Sequence, residues 1–187
     1  MKVTKAQVQK NRERIVETAS VLFRERGYDG VGVAELMATA GFTHGGFYKH
    51  FGSKADLMAE AAACSFAKSA EQTSQIDITD FVKQYLSREH RDTPGNGCTM
   101  AALSADAGRQ PELIKQTFAV GIENQLATLA SKDTDLNETE QREARARRIE
   151  AFAQVVGAIV LSRACPDDST LADEILEVCR RRILSQV

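Results

Sequence analysis

A chain of 187 residues with 43% hydrophobic and 27% charged residues has ordinary globular composition and is long enough for one to two domains with a real core. It has no run of about 18 apolar residues, which excludes a helical membrane span, and its start (MKVTKAQVQKNRER) lacks the apolar segment of a secretory signal. The net charge of −2 hides an asymmetry: residues 1–54 hold nine Lys and Arg against five Asp and Glu (+4), and the remainder 15 against 21 (−6). A basic end on an acidic body fits a nucleic-acid contact confined to that end. The four cysteines (64, 98, 165, 179) have no CxxC spacing, so free thiols in a reducing cytoplasm are expected, with no metal, no cofactor and no catalytic cluster. Sparse glycine and proline predict an all-α fold.

In chain order, residues 1–10 read as a polar arm. A first long helix is expected over 11–26. Ile15, Ala19, Leu22 and Phe23 form its core stripe at i, i+4, i+7 and i+8, and Gly27 ends it. Residues 33–54, VAELMATAGFTHGGFYKHFGSK, are the informative stretch. Val33, Leu36, Met37 and Ala40 give one face of a short helix. Gly41 suits a left-handed exit, and Thr43 stands as a hydroxyl cap before a second short helix over 44–50. Helix, glycine turn and helix make the helix-turn-helix pattern, whose second helix enters the DNA major groove. That second helix is a poor core helix. Only Phe47 points inward with bulk, and Gly45-Gly46 each cost about 1 kcal/mol of helix propensity against alanine. Such a helix suits close approach to a phosphate or a base edge. Gly52 breaks it, Ser53 caps the next helix, and Lys54 in the first turn suits a bound phosphate. Tyr28 and Val31 are expected to close a small three-helix core with Leu36, Phe47 and Phe51.

The segment resembles the DNA-binding domain of the TetR family of bacterial transcription regulators. Gly41, Thr43, Gly45, Phe47, Tyr48, His50, Phe51, Ser53 and Lys54 carry the match, after a long helix ending at Arg-Gly-Tyr (26–28). Three positions depart from the pattern. His44 stands where Lys or Arg is common, Gly46 replaces Ser, Thr or Ala, and Gly32 takes the place of a Ser/Thr cap, with Glu35 in that first turn. The resemblance implies a three-helix head (residues 1–54) on a helical effector-binding and dimerisation body (55–187), about nine helices in all. It implies that Thr43, Tyr48, Lys49, His50 and Lys54 hold phosphates. His44, Gly45 and Gly46 would then approach base edges on double-stranded operator DNA, with Phe47 anchoring the segment.

Beyond the head, a helix is expected from 53 to about 74 and a single helix over 76–91. A loop follows at 93–97, then helices over 98–107 and 111–130, a polar loop at 131–138, and helices over 139–164 and 169–185. The resemblance implies that the middle helices enclose a small-molecule cavity. Candidates to line it are Phe66, Phe81, Tyr85, Cys98, Met100, Leu103, Phe118, Ile122 and Phe152, and an apolar or aromatic effector is expected. The last two helices carry broad apolar faces, suited to a four-helix bundle in a two-fold homodimer. The candidates there are Phe152, Val156, Gly157 and Val160 on one helix and Ile175, Leu176, Cys179 and Ile183 on the other. Cys98, after Gly-Asn-Gly at a helix start, reads either as a thiol that senses oxidants or electrophiles or as a small residue packed against the core. These features point to a ligand- or thiol-controlled repressor. Two alternatives remain: an effector-independent DNA-binding adaptor, distinguished by the lack of a cavity, and a thiol enzyme pairing Cys98 with His90.

Overall fold

The computed structural model describes residues 4–74, 76–129 and 136–185. Among them the chain is all helix: α1 (Lys5–Arg26), α2 (Val33–Thr39), a 3₁₀ segment (His44–Lys49), α3 (Lys54–Ser74), α4 (Ile78–Tyr85), α5 (Arg88–Asp92), a 3₁₀ turn (Pro94–Asn96), α6 (Thr99–Ala107), α7 (Glu112–Leu129), α8 (Glu138–Arg163) and α9 (Thr170–Leu184).

Helix α1 begins six residues before its expected start. Thr4 caps it, accepting from the Gln7 amide at 3.2 Å. It ends at Gly27, whose φ of 73° lies in the left-handed region. Ile15, Ala19, Leu22 and Phe23 are buried as the stripe requires. Gly41 (φ 82°) turns the chain out of α2. The second short helix of the motif is a 3₁₀ segment, and Thr43 occupies its cap position without a side-chain hydrogen bond. At six residues it is long for a 3₁₀ run. Tyr28, Val31, Leu36, Phe47 and Phe51 are all buried and close the head. Ser53 caps α3 through the Asp56 amide at 3.1 Å.

One buried cluster runs from Ile15 through Leu57, Met58, Ala61 and Phe66 to Ile114 and Phe118, so head and body share a core along α3. Where α3 and α7 pack closest, Gly121 is required: a Cβ there would lie 2.3 Å from the Phe66 ring. A second cluster (Val82, Leu86, Ala101, Val155, Ile159, Leu176, Ile183) joins α4, α6, α8 and α9.

The single helix expected over 76–91 is two. Leu86 (φ −91°, ψ 51°) ends α4, and Ser87 caps α5 through the His90 amide. The short α5 is pinned by Arg91, 4% exposed, which donates to the Ser162 carbonyl and hydroxyl, Asp167 and the Cys165 carbonyl. The polar loop expected at 131–138 lies mostly outside the described residues. At its end Asn137 and Glu140 form a capping box for α8. Ser169 stands at the cap position of α9 without a side-chain bond.

Candidate nucleic-acid interface and the cleft behind it

The 3₁₀ segment hangs on Phe47, which is 1% exposed and packs edge-on to Tyr48 (5.2 Å) and against Phe51 (5.5 Å). Phe47 is thus an anchor, with its side chain turned away from solvent. The outer side presents Thr43, His44, Gly45, Tyr48 and Lys49; Gly46 and His50 are half-buried. Tyr48 is 69% exposed, a large aromatic held out into solvent. A Cβ at Gly45 would meet nothing within 4 Å, and one at Gly46 would make ordinary contacts with Met37 Cε at 3.6 Å and Thr43 Oγ1 at 3.7 Å. Neither glycine has a positive φ. Nothing inside the chain therefore demands glycine at either position. Their effect is to leave the outer backbone bare.

Much of the head's positive charge is spent internally. Arg12 forks onto Glu60, donates to the His50 carbonyl and lies over the Phe51 ring (4.3 Å), clamping the end of the 3₁₀ segment to α3. Arg26 pairs with Glu35, and the Lys54 ammonium donates to the Tyr28 carbonyl. Lys5, Lys10, Arg14 and Lys49 make no ion pair among the described residues. Of these, Lys49 stands on the outer face beside Tyr48. Arg12 was hidden in the sequence among the head's basic residues. Its one signal is position: it extends the Ile15–Ala19–Leu22 stripe by three residues, where an arginine must bury its stem.

Behind the head lies a half-open cleft of about 770 Å³. Its walls come from α1 (Glu17, Ser20, Val21, Arg24), α3 (Ser65, Phe66, Lys68), α4 (Phe81, Tyr85) and the chain from 96 to 100. Phe66, Phe81, Tyr85, Cys98 and Met100 thus line it. Leu103, Phe118, Ile122 and Phe152 do not: the first two are buried in the shared core and the others pack against it. The lining is mixed rather than apolar, with Glu17, Arg24, Lys68, Glu89 and His90 beside the aromatics.

His90 bridges three elements. Its Nδ1 donates to the Tyr85 carbonyl at 2.7 Å and its Nε2 accepts from the Cys98 amide at 3.0 Å. These partners select the neutral Nδ1–H tautomer, and burial lowers the ring's pKa in the same sense. The ring's one lone pair is occupied, so His90 offers the Cys98 thiol no base. Gly97 is required next to it, since a Cβ would lie 2.8 Å from His90 Nε2. Burial also raises the pKa of Tyr85, whose hydroxyl lies by Cys98, well above its ordinary value.

On the far side, α8 and α9 leave apolar side chains in solvent: Ile149, Val160 (43% exposed), Leu161, Leu171 and Val178. Gly157 lies among them with open space where a side chain would be. Leu176 and Ile183 face inward and complete the second core, while Phe152, Val156, Ile175 and Cys179 are half-buried. No helix of the described residues is long and apolar enough to cross a membrane, and no metal-binding group of His, Cys, Asp and Glu occurs among them.

Residues 15–61 match the family model described as bacterial regulatory proteins, tetR family. A curated relative, the HTH-type transcriptional repressor AcnR of Corynebacterium diphtheriae, is 28% identical over 89 residues, covering 48% of this chain and 47% of its own length. The chain thus spans about half the length of the curated relative it matches. Over nearly the whole chain the fold is similar to E. coli NemR in its reduced form (TM-score 0.73, 19% identity, 94% and 96% of the two chains covered). It is equally similar to a TetR-family regulator from Agrobacterium tumefaciens (TM-score 0.73, 20% identity, 96% and 98% covered). With the helix-turn-helix geometry described above, residues 15–61 form a DNA-binding head of the tetR family of bacterial regulatory proteins, and the whole chain shares the fold of these solved structures.

Proposed function

We propose that the chain is a cytoplasmic, ligand-responsive transcriptional regulator of the repressor type. It binds a near-palindromic operator as a homodimer and is released by a small-molecule or thiol-reactive effector. The observation that carries this reading is that α1 serves two sites at once. Its apolar stripe builds the core behind the 3₁₀ segment, and Glu17, Ser20, Val21 and Arg24 on the same helix wall the cleft. A molecule in the cleft touches the head directly, so differential binding to two head positions follows. By linkage, effector and DNA then weaken each other by the same factor. Cys98, on the cleft wall, gives a thiol-reactive effector the same lever. An effector-independent adaptor has no use for a cleft of this size.

On the DNA side, Thr43, Tyr48, Lys49 and His50 hold phosphates, and His44, Gly45 and Gly46 bring backbone and ring close to base edges. Lys54 acts mainly by fixing Tyr28, with N–H donors left over for a phosphate. Two heads are joined through the exposed face of α8 and α9, centred on Gly157 and Val160 and continued by Ile175 and Cys179. The test is a selection of genomic fragments on the purified protein, followed by mobility shifts at fixed salt. Sequence-selective binding that weakens in Lys49→Ala and Tyr48→Phe is expected. Binding that is equal for every fragment would sink the regulator reading.

A further inference from the structure

Arg24 sets the chemistry of the cleft. It lies on α1, its guanidinium faces the cleft, and it makes no ion pair among the described residues. Its bonds go to two neutral oxygens: Nε (2.9 Å) and Nη2 donate to the Gly95 carbonyl, and Nη1 donates to Ser65 Oγ at 2.8 Å. Three of five N–H donors are used and two remain. Burial disfavours its charge, which Glu25 offsets only in part and without an ion pair, and a partly buried cation with no paired anion is costly until one reaches it. The other charged groups of the wall do not supply one. Glu17 is held by Lys68 at 2.9 Å, Glu89 pairs with no cation among the described residues, and His90 is neutral. Glu25 lies by Gly95 and outside the cleft lining. Phe66, Phe81, Tyr85 and Met100 supply an apolar wall beside the guanidinium. A volume of about 770 Å³ is that of a site for a drug-sized molecule.

We propose that the cleft takes an organic anion, a carboxylate on an aromatic or apolar body, and that Arg24 grips the carboxylate. The inference rests on the effector reading above and names the effector's class. A planar guanidinium facing a cleft is matched by a carboxylate, which accepts two parallel N–H bonds. The carboxylate accepts from the N–H groups left free on Nη1 and Nη2, so ligand, α1 and residues 93–97 are tied through one guanidinium.

The test uses the full chain, free of DNA and at fixed ionic strength. The probes are 2-naphthoate, indole-3-acetate and 4-phenylbutyrate, each beside its uncharged primary amide and its matching amine. Melting temperature and calorimetric affinity are read. At least one acid is expected to bind about tenfold or more tightly than its amide, the scale of a charge-assisted pair. In Arg24→Gln the preference for the acid should vanish while amide affinity stays, and Arg24→Lys should keep part of it. Acids that bind no better than amides or amines would overturn the proposal, as would a preference that survives Arg24→Gln. The acid–amide comparison on the unaltered chain decides the matter even where a variant does not fold. Adding operator DNA separates the two readings. An acid that binds through Arg24 and leaves DNA affinity unchanged keeps the anion site and refutes its regulatory use.

Discussion

Replacing Gly45 with alanine should make the protein more stable and a weaker DNA binder. The backbone there is not left-handed, and the new methyl would meet nothing within 4 Å of its own chain. The substitution therefore costs no strain, while it narrows the unfolded ensemble, which stabilises by about 0.4–1 kcal/mol. For a chain of this length that is a rise of about 1–4 °C in melting temperature. On the DNA side the same methyl stands between the bare backbone of the reading segment and the groove. Loss of one close backbone contact is worth about 1.4 kcal/mol or more, a tenfold weakening. Melting curves and a binding titration at one salt concentration measure both effects on the same preparation. A variant that is more stable and binds as tightly as the parent would refute the close approach assigned to Gly45. A variant that is destabilised would refute the steric reasoning itself.

Arg12→Lys, which keeps the charge but loses the fork onto Glu60 and the His50 carbonyl, should weaken DNA binding about three- to tenfold without changing the slope of log K against log salt. Lys49→Ala should flatten that slope by about one counterion. Gly157→Leu, at a position open in the single chain, should leave the fold intact and shift sedimentation from dimer to monomer; a persistent dimer would exclude the α8–α9 face. Gly121→Ala should cost about 1–3 kcal/mol in denaturant titrations, because the methyl meets Phe66. His90 has a lowered pKa in the fold. Below about pH 6.5 the unfolded chain therefore takes up a proton that the native ring resists. Stability should fall as pH drops through that value and level off below the folded pKa, and His90→Gln should remove this segment of the pH profile.

The head was legible because its chemistry is local. A buried stripe, a left-handed glycine and an aromatic anchor each leave a residue-level mark, and Ile15, Gly41 and Phe47 stand where those marks place them. The early start of α1 was not legible from periodicity, since residues 5–10 are exposed all round. Only Thr4 with Gln7 three residues on carries the signal, as a cap. The split between α4 and α5 was masked by Leu86, fully buried, which continues the apolar pattern through the break. The cleft was half legible. Aromatic residues at helical spacing face either core or cavity, so Phe66 and Phe81 could not be told from Phe118 and Phe152 before packing was known. Arg24 was hidden for a different reason: in a basic head every arginine reads as a phosphate contact, while this one turns toward the body. On α9 both faces are apolar, so spacing alone could not show that Leu176 and Ile183 point inward and Leu171 and Val178 outward.

Hydroxyl-radical footprinting of the selected DNA site tests the two-headed DNA-reading dimer most directly. Two protected half-sites, related by a two-fold axis and about one helical turn or a multiple of it apart, are the expected result. They should fade together when the operator is titrated with a cleft-bound acid. A single protected segment, or protection that spreads evenly along the duplex, would contradict a dimer reading DNA through residues 43–49.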